Sequence, residues 1–274
     1  MTQIDTATCM MLVRSIAEEI AASKAKPRPD APIRDIIQHA RAVSRAAQTT
    51  LRSALEKRCP TIEWADEDDG PAGQTYWLYD PIDGAYHWAQ GLPLWASSLV
   101  LVRDGEPVMS MVYDPAMKEA FVAGKGAGAT CNGVPLQVSG KRDPGAAVVG
   151  GAIPPIGQVG PAMQDEALHL LRSVAREVFV VRPMAAASLQ FAYVAAGRLD
   201  AYVETGRDAA DWLAGALLIR EASGAVTDLA GNTFGWSGDG VLAANRALHP
   251  ALREVIRQAR ETGRIENPLL RHAE

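Results

Sequence analysis

The stretch Trp77-Leu78-Tyr79-Asp80-Pro81-Ile82-Asp83-Gly84 decides the reading of this chain. An apolar, strand-like run ends in two carboxylates, with a proline between them and a glycine just after. Pro81 fixes its own φ and biases Asp80 toward an extended backbone. Gly84 lets the main chain approach a ligand more closely than a residue with a β-carbon allows. Asp80 and Asp83 therefore converge at the end of a strand, where open α/β sheets hold their ligands. Two hard oxygen ligands beside exposed N–H groups suit Mg²⁺ and a phosphate.

Around this turn the chain reads as alternating helices and strands. Apolar residues at helical spacing predict a helix over residues 6–23, a proline-rich loop over 24–32 and a second helix over 33–58. A short strand over 61–64 and an acidic loop over 65–75 lead to the strand over 76–79. β-rich runs over 97–103 and 107–113, joined by Asp104-Gly105, form a hairpin. The meander continues over 119–123 into a glycine-rich connection over 124–133. Those glycines read as hairpin and bulge geometry, because no lysine-serine ending of a phosphate loop follows them.

A boundary near Asp143 divides the chain into two halves, 1–142 and 143–274, that complete one compact unit. In the second half, helices are expected over 165–176, 189–196, 211–223 and 249–262. Strands are expected over 178–181, 199–204, 225–229 and 241–244. The alternation gives an α/β (α+β layered) fold.

Bulk properties narrow the function. The 274 residues are 48% hydrophobic and 22% charged, the make-up of an ordinary globular protein. A formal net charge of −5 argues against a surface wholly given to nucleic acid. Cys9, Cys59 and Cys131 are too few and scattered for a disulfide framework, so a reducing, cytoplasmic setting is expected. No apolar run is long enough for a membrane span, and residues 1–20 lack the order of a signal peptide.

Three acidic groups stand out: Asp66-Glu67-Asp68-Asp69, the Asp80/Asp83 pair, and Asp211. An acidic run in a loop is ordinarily solvated surface. Asp211 alone reads as an N-cap. Taken together with Asp211-Trp212-Leu213-Ala214-Gly215, Val112-Tyr113-Asp114-Pro115 and Gly126-x-Gly128-x-x-Cys131-Asn132-Gly133, they form an ordered pattern. From about Pro60 to Asn245 that pattern resembles the inositol monophosphatase family of Mg²⁺-dependent, lithium-sensitive phosphatases.

The resemblance implies an alternating α/β/α/β/α sugar-phosphatase fold, usually homodimeric, and a small phosphorylated metabolite as substrate. It implies two Mg²⁺ ions, with Asp68 supporting a third, weaker one through water. By that resemblance Asp80 bridges two metals, joined on the first by Glu67 and the backbone carbonyl of Ile82. Asp83 and Asp211 hold the second. The N–H groups of Gly84 and Ala85 receive the phosphate, and Glu204 contacts a substrate hydroxyl. His87 reads as a structural histidine, and Trp77, Trp88, Trp95 and Trp212 as packing residues shaping the site walls.

Three departures from the family pattern matter. Ala85 replaces a threonine whose hydroxyl orients the attacking water, a loss of about 2–4 kcal/mol of transition-state stabilisation. The family's Asp-x-Val-Thr-x-x-Asp stretch has only Asp35-Ile36-Ile37-Gln38-His39-Ala40-Arg41 in its place. Its Gly-Ser/Thr-Ala substrate loop reads Ala185-Ala186-Ala187-Ser188 here. A second expectation therefore stands beside the phosphomonoesterase: a catalytically impaired member acting as a phosphate-binding or regulatory, protein-interacting protein.

Overall fold

The computed structural model describes residues 5–23, 32–65 and 70–263. Residues 24–31 of the expected proline loop and the acidic run at 66–69, with Glu67 and Asp68, lie outside them. Two helices open the chain, α1 (Thr6–Ala22) and α2 (Ile33–Glu56). A seven-stranded sheet follows in chain order: β1 (Glu63–Trp64), β2 (Thr75–Asp83), β3 (Ala96–Arg103), β4 (Glu106–Asp114), β5 (Glu119–Gly124), β6 (Gly128–Cys131) and β7 (Val134–Pro135). Only β1 and β2 run parallel; the other neighbours are antiparallel. The short helix α3 (Ala85–Ala89) interrupts the sheet's path just after β2.

The second sheet orders its five strands β11-β12-β10-β8-β9. They are β8 (Val148–Gly151), β9 (Val180–Pro183), β10 (Ala201–Glu204), β11 (Gly224–Thr227) and β12 (Val241–Asn245). Helices α4 (Ile156–Ala175), α5 (Ala187–Ala195), α6 (Ala209–Glu221) and α7 (His249–Gly263) complete the chain.

The period-2 alternation of β2 explains the layering. Trp77 and Tyr79 point to one face, where they pack with Val13 and Ile16 of α1 and Leu51 and Leu55 of α2. Tyr76 and Leu78 point to the other, against Leu189 and Phe191 of α5 and Trp212 and Leu213 of α6. That same core takes in Tyr202, Val226 and Val241 from the second sheet. The second sheet's far face carries Val149, Val203 and Leu242 against Leu170 and Val174 of α4 and Leu252 and Ile256 of α7. The order is thus α1/α2, sheet, α5/α6, sheet, α4/α7: the five alternating layers expected.

Being sandwiched between sheets accounts for the composition of α5 and α6. Phe191 and Ile219 are fully buried, and neither helix needs a polar stripe because neither has a wet side. The two helices also touch closely. A β-carbon on Gly215 of α6 would fall 2.2 Å from Phe191 Cβ of α5.

Several local expectations need correction. Residues 80–83 are not a turn after a finished strand. β2 continues through them, with a register shift between Asp80 and Asp83 against β3, which is a bulge. Strand β6 lies inside the glycine-rich connection expected over 124–133, and β8 has no counterpart among the expected strands. Helix α4 begins nine residues earlier than expected, crossing a break at Gly160 and Pro161. Asp211 is not an N-cap: Asp208 holds that position, and Asp211 sits in the first turn of α6.

Candidate active site

The acidic residues meet where the ends of β2 and β10 approach the N-termini of α5 and α6. The bulge in β2 creates the first part. Asp80 Oδ1 accepts the N–H of Ile82 at 2.9 Å, curling the chain so that Asp83 follows closely. Ser97 Oγ secures the bend by donating to the Pro81 carbonyl at 2.9 Å. Gly84 then takes a left-handed conformation (φ 87°) at the start of α3. A β-carbon there would stand 2.9 Å from the Leu94 carbonyl oxygen and 3.0 Å from Ala186 Cβ. Dihedral and space both require glycine.

Asp83 is buried and reaches across the layers to α5. Its Oδ2 accepts the Ser188 amide at 2.6 Å and the Ser188 hydroxyl at 2.5 Å. Ala186, the N-cap of α5 two residues before Ser188, is buried in a left-handed conformation (φ 64°), at a cost of about 1–2 kcal/mol. Its own side chain caps nothing, so Asp83 supplies the acceptor for the orphan N–H groups of α5 from another layer. Burial raises the Asp83 carboxyl above the ordinary range, and the Ser188 and Ala187 donors oppose that rise.

Asp211, half-buried, is pushed well above its ordinary value, first by burial and then by the negative charges of Asp83, Asp80, Glu204 and Asp208. Glu204, at the end of β10, is raised to about 7, chiefly by burial. Its Oε2 accepts Trp212 Nε1 at 2.8 Å and the Tyr202 hydroxyl. Trp212 is therefore both a core residue and a donor that orients Glu204.

The structure thus gathers Asp80, Asp83, Glu204 and Asp211 and adds two residues to which the sequence assigned no role beside them. Asp208 is one, signalled by its cap spacing three residues before Asp211. Ser188 is the other, a hydroxyl in the first turn of a helix just past an alanine run. Ala85 opens α3, half-buried, and His87 donates through Nδ1 to the Leu94 carbonyl at 2.9 Å, a structural bond as expected. Two other motif segments serve the fold. Asp114 holds the Ala116 and Met117 amides and the Tyr193 hydroxyl. The glycine-rich connection gives its Gly126 and Gly128 amides to the Glu221 carboxylate, each at 2.8 Å, so those glycines are hairpin geometry.

The donor set fits divalent cations in its chemistry. Hard carboxylate oxygens crowd together and raise one another's pKa, and no ion pair with Lys or Arg to Asp83, Glu204 or Asp211 is found among the described residues. Crowded buried charge of one sign persists where a cation offsets it. Among the described residues no three His, Cys, Asp or Glu side chains already converge as a ligand shell; Glu67 lies outside them.

Five alternating layers with a carboxylate cluster between the sheets define a layered α/β protein with a site suited to divalent metal. Comparison with known proteins makes the assignment specific: the model of the inositol monophosphatase family matches residues 6–261, and the chain belongs to that family. The chain is 38% identical over 218 residues to an inositol-1-monophosphatase of Rhizobium meliloti, covering 78% of this chain and 81% of that one. It is 36% identical over 221 residues to the Nus factor SuhB of Pseudomonas aeruginosa, with the same coverage. Among solved structures, the extragenic suppressor protein suhB of Bartonella henselae superposes with a TM-score of 0.73 at 28% identity, covering 90% of this chain and 97% of that one. An IMPase of Thermotoga maritima, 24% identical, shares the fold with a TM-score of 0.79 over 94% of this chain and 98% of its own. Family membership supports a phosphatase, and the family is generally Mg²⁺-dependent. No described helix is long and apolar enough to cross a membrane.

Proposed function

We propose that this protein is a metal-dependent phosphomonoesterase acting on a small sugar, inositol or nucleotide phosphate, as a homodimer in a reducing cytoplasm. The observation that carries this reading is the crowding of Asp83, Glu204 and Asp211 without an ion-paired Lys or Arg among the described residues. Asp80, Glu67 and the Ile82 carbonyl would hold one Mg²⁺, and Asp83 and Asp211 a second. Bound there, the ions would supply Lewis-acid chemistry: acidified water as nucleophile and neutralised charge on the leaving alkoxide.

The chain's own residues do the rest. The backbone amides of Gly84 and Ala85 open α3 and donate to phosphate oxygens, with the helix dipole favouring negative charge there. Glu204, fixed by Tyr202 and Trp212, accepts a substrate hydroxyl and so orients the ester. Its pKa of about 7 leaves it able to accept or hold a proton near neutrality. Trp88 and Trp95 are buried in the core beneath α1 and α2, and Trp212 is buried behind Glu204. No covalent nucleophile is required.

The test is Mg²⁺-dependent phosphate release from inositol, fructose, 3′-phosphoadenosine and histidinol phosphates. Release from at least one, abolished in Asp83→Asn, is expected. Pure folded protein that releases phosphate from none of them would refute the enzyme reading.

A second reading is favoured by one residue. Ala85 has no hydroxyl to orient water, and relatives named Nus factor SuhB are 31–36% identical to this chain. A member that binds metal and phosphate but serves a regulatory partner would bind Mn²⁺ tightly and turn over nothing, even as Ala85→Thr.

A further inference from the structure

Ser188 closes the stretch that stands in place of the family's substrate loop, and it makes two short contacts in the site. Its amide and its hydroxyl both donate to a single oxygen, Asp83 Oδ2, at 2.6 and 2.5 Å. The residue is fully buried, and 105 positions separate the partners in sequence. Capping α5 requires only backbone N–H groups to be satisfied, and the Ser188 amide already meets that need. The hydroxyl is an additional donor. Its acceptor among the described residues is Asp83, a proposed metal ligand.

Two donors converging on one oxygen fix a carboxylate's rotation about its last torsion, which is otherwise broad. With Oδ2 held by protein, the lone pairs of Oδ1 remain for another partner in a set direction. We propose that Ser188 is a positioning residue that fixes the Asp83 carboxylate so that Oδ1 is presented to a divalent cation. This rests on the ligand role given above to Asp83. Partners that orient a metal-binding carboxylate contribute about 10–100-fold to affinity in other sites.

The test is calorimetric titration of the metal-free protein with Mn²⁺, with thermal unfolding of each variant measured in parallel. Ser188→Ala is expected to weaken Mn²⁺ binding by about 10-fold or more. Ser188→Thr, which keeps the hydroxyl, is expected to stay within about threefold of wild type. Ser188→Cys has nearly the volume of serine but only a weak donor, so it carries the comparison if the alanine variant does not fold. In the Asp83→Asn background, Ser188→Ala is expected to change the affinity no further, because the two act through one carboxylate.

Wild-type Mn²⁺ affinity in folded Ser188→Ala, with or without a lowered melting temperature, would overturn the inference, as would fully additive effects of the two substitutions. Unchanged affinity in Asp83→Asn would instead remove the ligand role of Asp83 and the positioning role with it. A weakened Asp83→Asn beside an unaffected Ser188→Ala removes the positioning role alone.

Discussion

Replacing Gly84 by alanine tests the geometry of the turn with a worked magnitude. A residue with a β-carbon at φ 87° pays about 1–2 kcal/mol for the left-handed backbone. The new atom would meet the Leu94 carbonyl oxygen at 2.9 Å and Ala186 Cβ at 3.0 Å. Neither neighbour is the free end of a flexible side chain, and Ala186 is itself buried in a left-handed conformation. Such overpacking costs about 1–3 kcal/mol. The smaller entropy of the unfolded alanine chain returns about 0.4–1 kcal/mol. The net loss is about 1–5 kcal/mol. With an unfolding entropy of about 2.1 cal/mol/K per residue, the midpoint should fall by roughly 2–8 °C. Urea unfolding by circular dichroism in EDTA measures the loss directly. Gly126→Ala is the control: its φ is 76°, and no atom lies within 4 Å of the added carbon, so only the dihedral cost less the same entropy return applies, a loss of at most about 1.6 kcal/mol. Equal losses in the two variants would refute the claim that close approach, as well as backbone conformation, requires Gly84.

Three further outcomes are expected. Glu204→Gln should flatten the pH dependence of stability. The folded pKa of about 7 lies above the ordinary 4.5, so the folded state holds a proton the unfolded chain has lost, and stability falls as pH rises between those values. In metal-free protein the variant should gain on the order of 3 kcal/mol above pH 7 and nothing below pH 4, read by unfolding at several pH values; a constant difference across that range would refute the assignment. Ala85→Thr should raise the rate of phosphate release about 10²-fold at unchanged Mn²⁺ affinity, and a rate equal to wild type would show that the missing hydroxyl is not the limiting loss. Glu221→Ala should speed amide exchange at Gly126 and Gly128 and cost about 1–2 kcal/mol, whereas unaltered exchange would mean the carboxylate does not hold that loop.

Much of the fold was legible where a local pattern coincided with the layer it served. Tyr76 to Tyr79 is apolar throughout because each face of β2 is covered by a different pair of helices. Asp104 and Gly105 both adopt positive φ, as their hairpin requires. The missed elements lack such signals. β8 ends in two glycines and exists because parallel neighbours β9 and β10 pair with it on both sides. The start of α4 is hidden behind Gly160 and Pro161, which punctuate a helix that tertiary packing nonetheless continues. At the site, the carboxylates Asp80, Asp83, Glu204 and Asp211 were readable because their types and order were specific. Ser188 was not: a serine after three alanines carries no message until the fold sets it against a residue 105 positions away.

That separation has a consequence in time. During synthesis at about 5–20 residues per second, roughly 5–20 s pass between the emergence of Asp83 and that of Ser188. Throughout that interval the nascent first sheet has a carboxylate at its end with no donors from α5 and no Asp211 beside it. The carboxylate must stay in water, and the bulge that displays it must wait for the later segment. A ribosome-bound chain halted before α5 should therefore lack the proposed second metal position, which needs Asp211, although the residues proposed for the first have already been made. Completion of that second position and the docking of α5, whose Ser188 holds Asp83, then fall together late in synthesis.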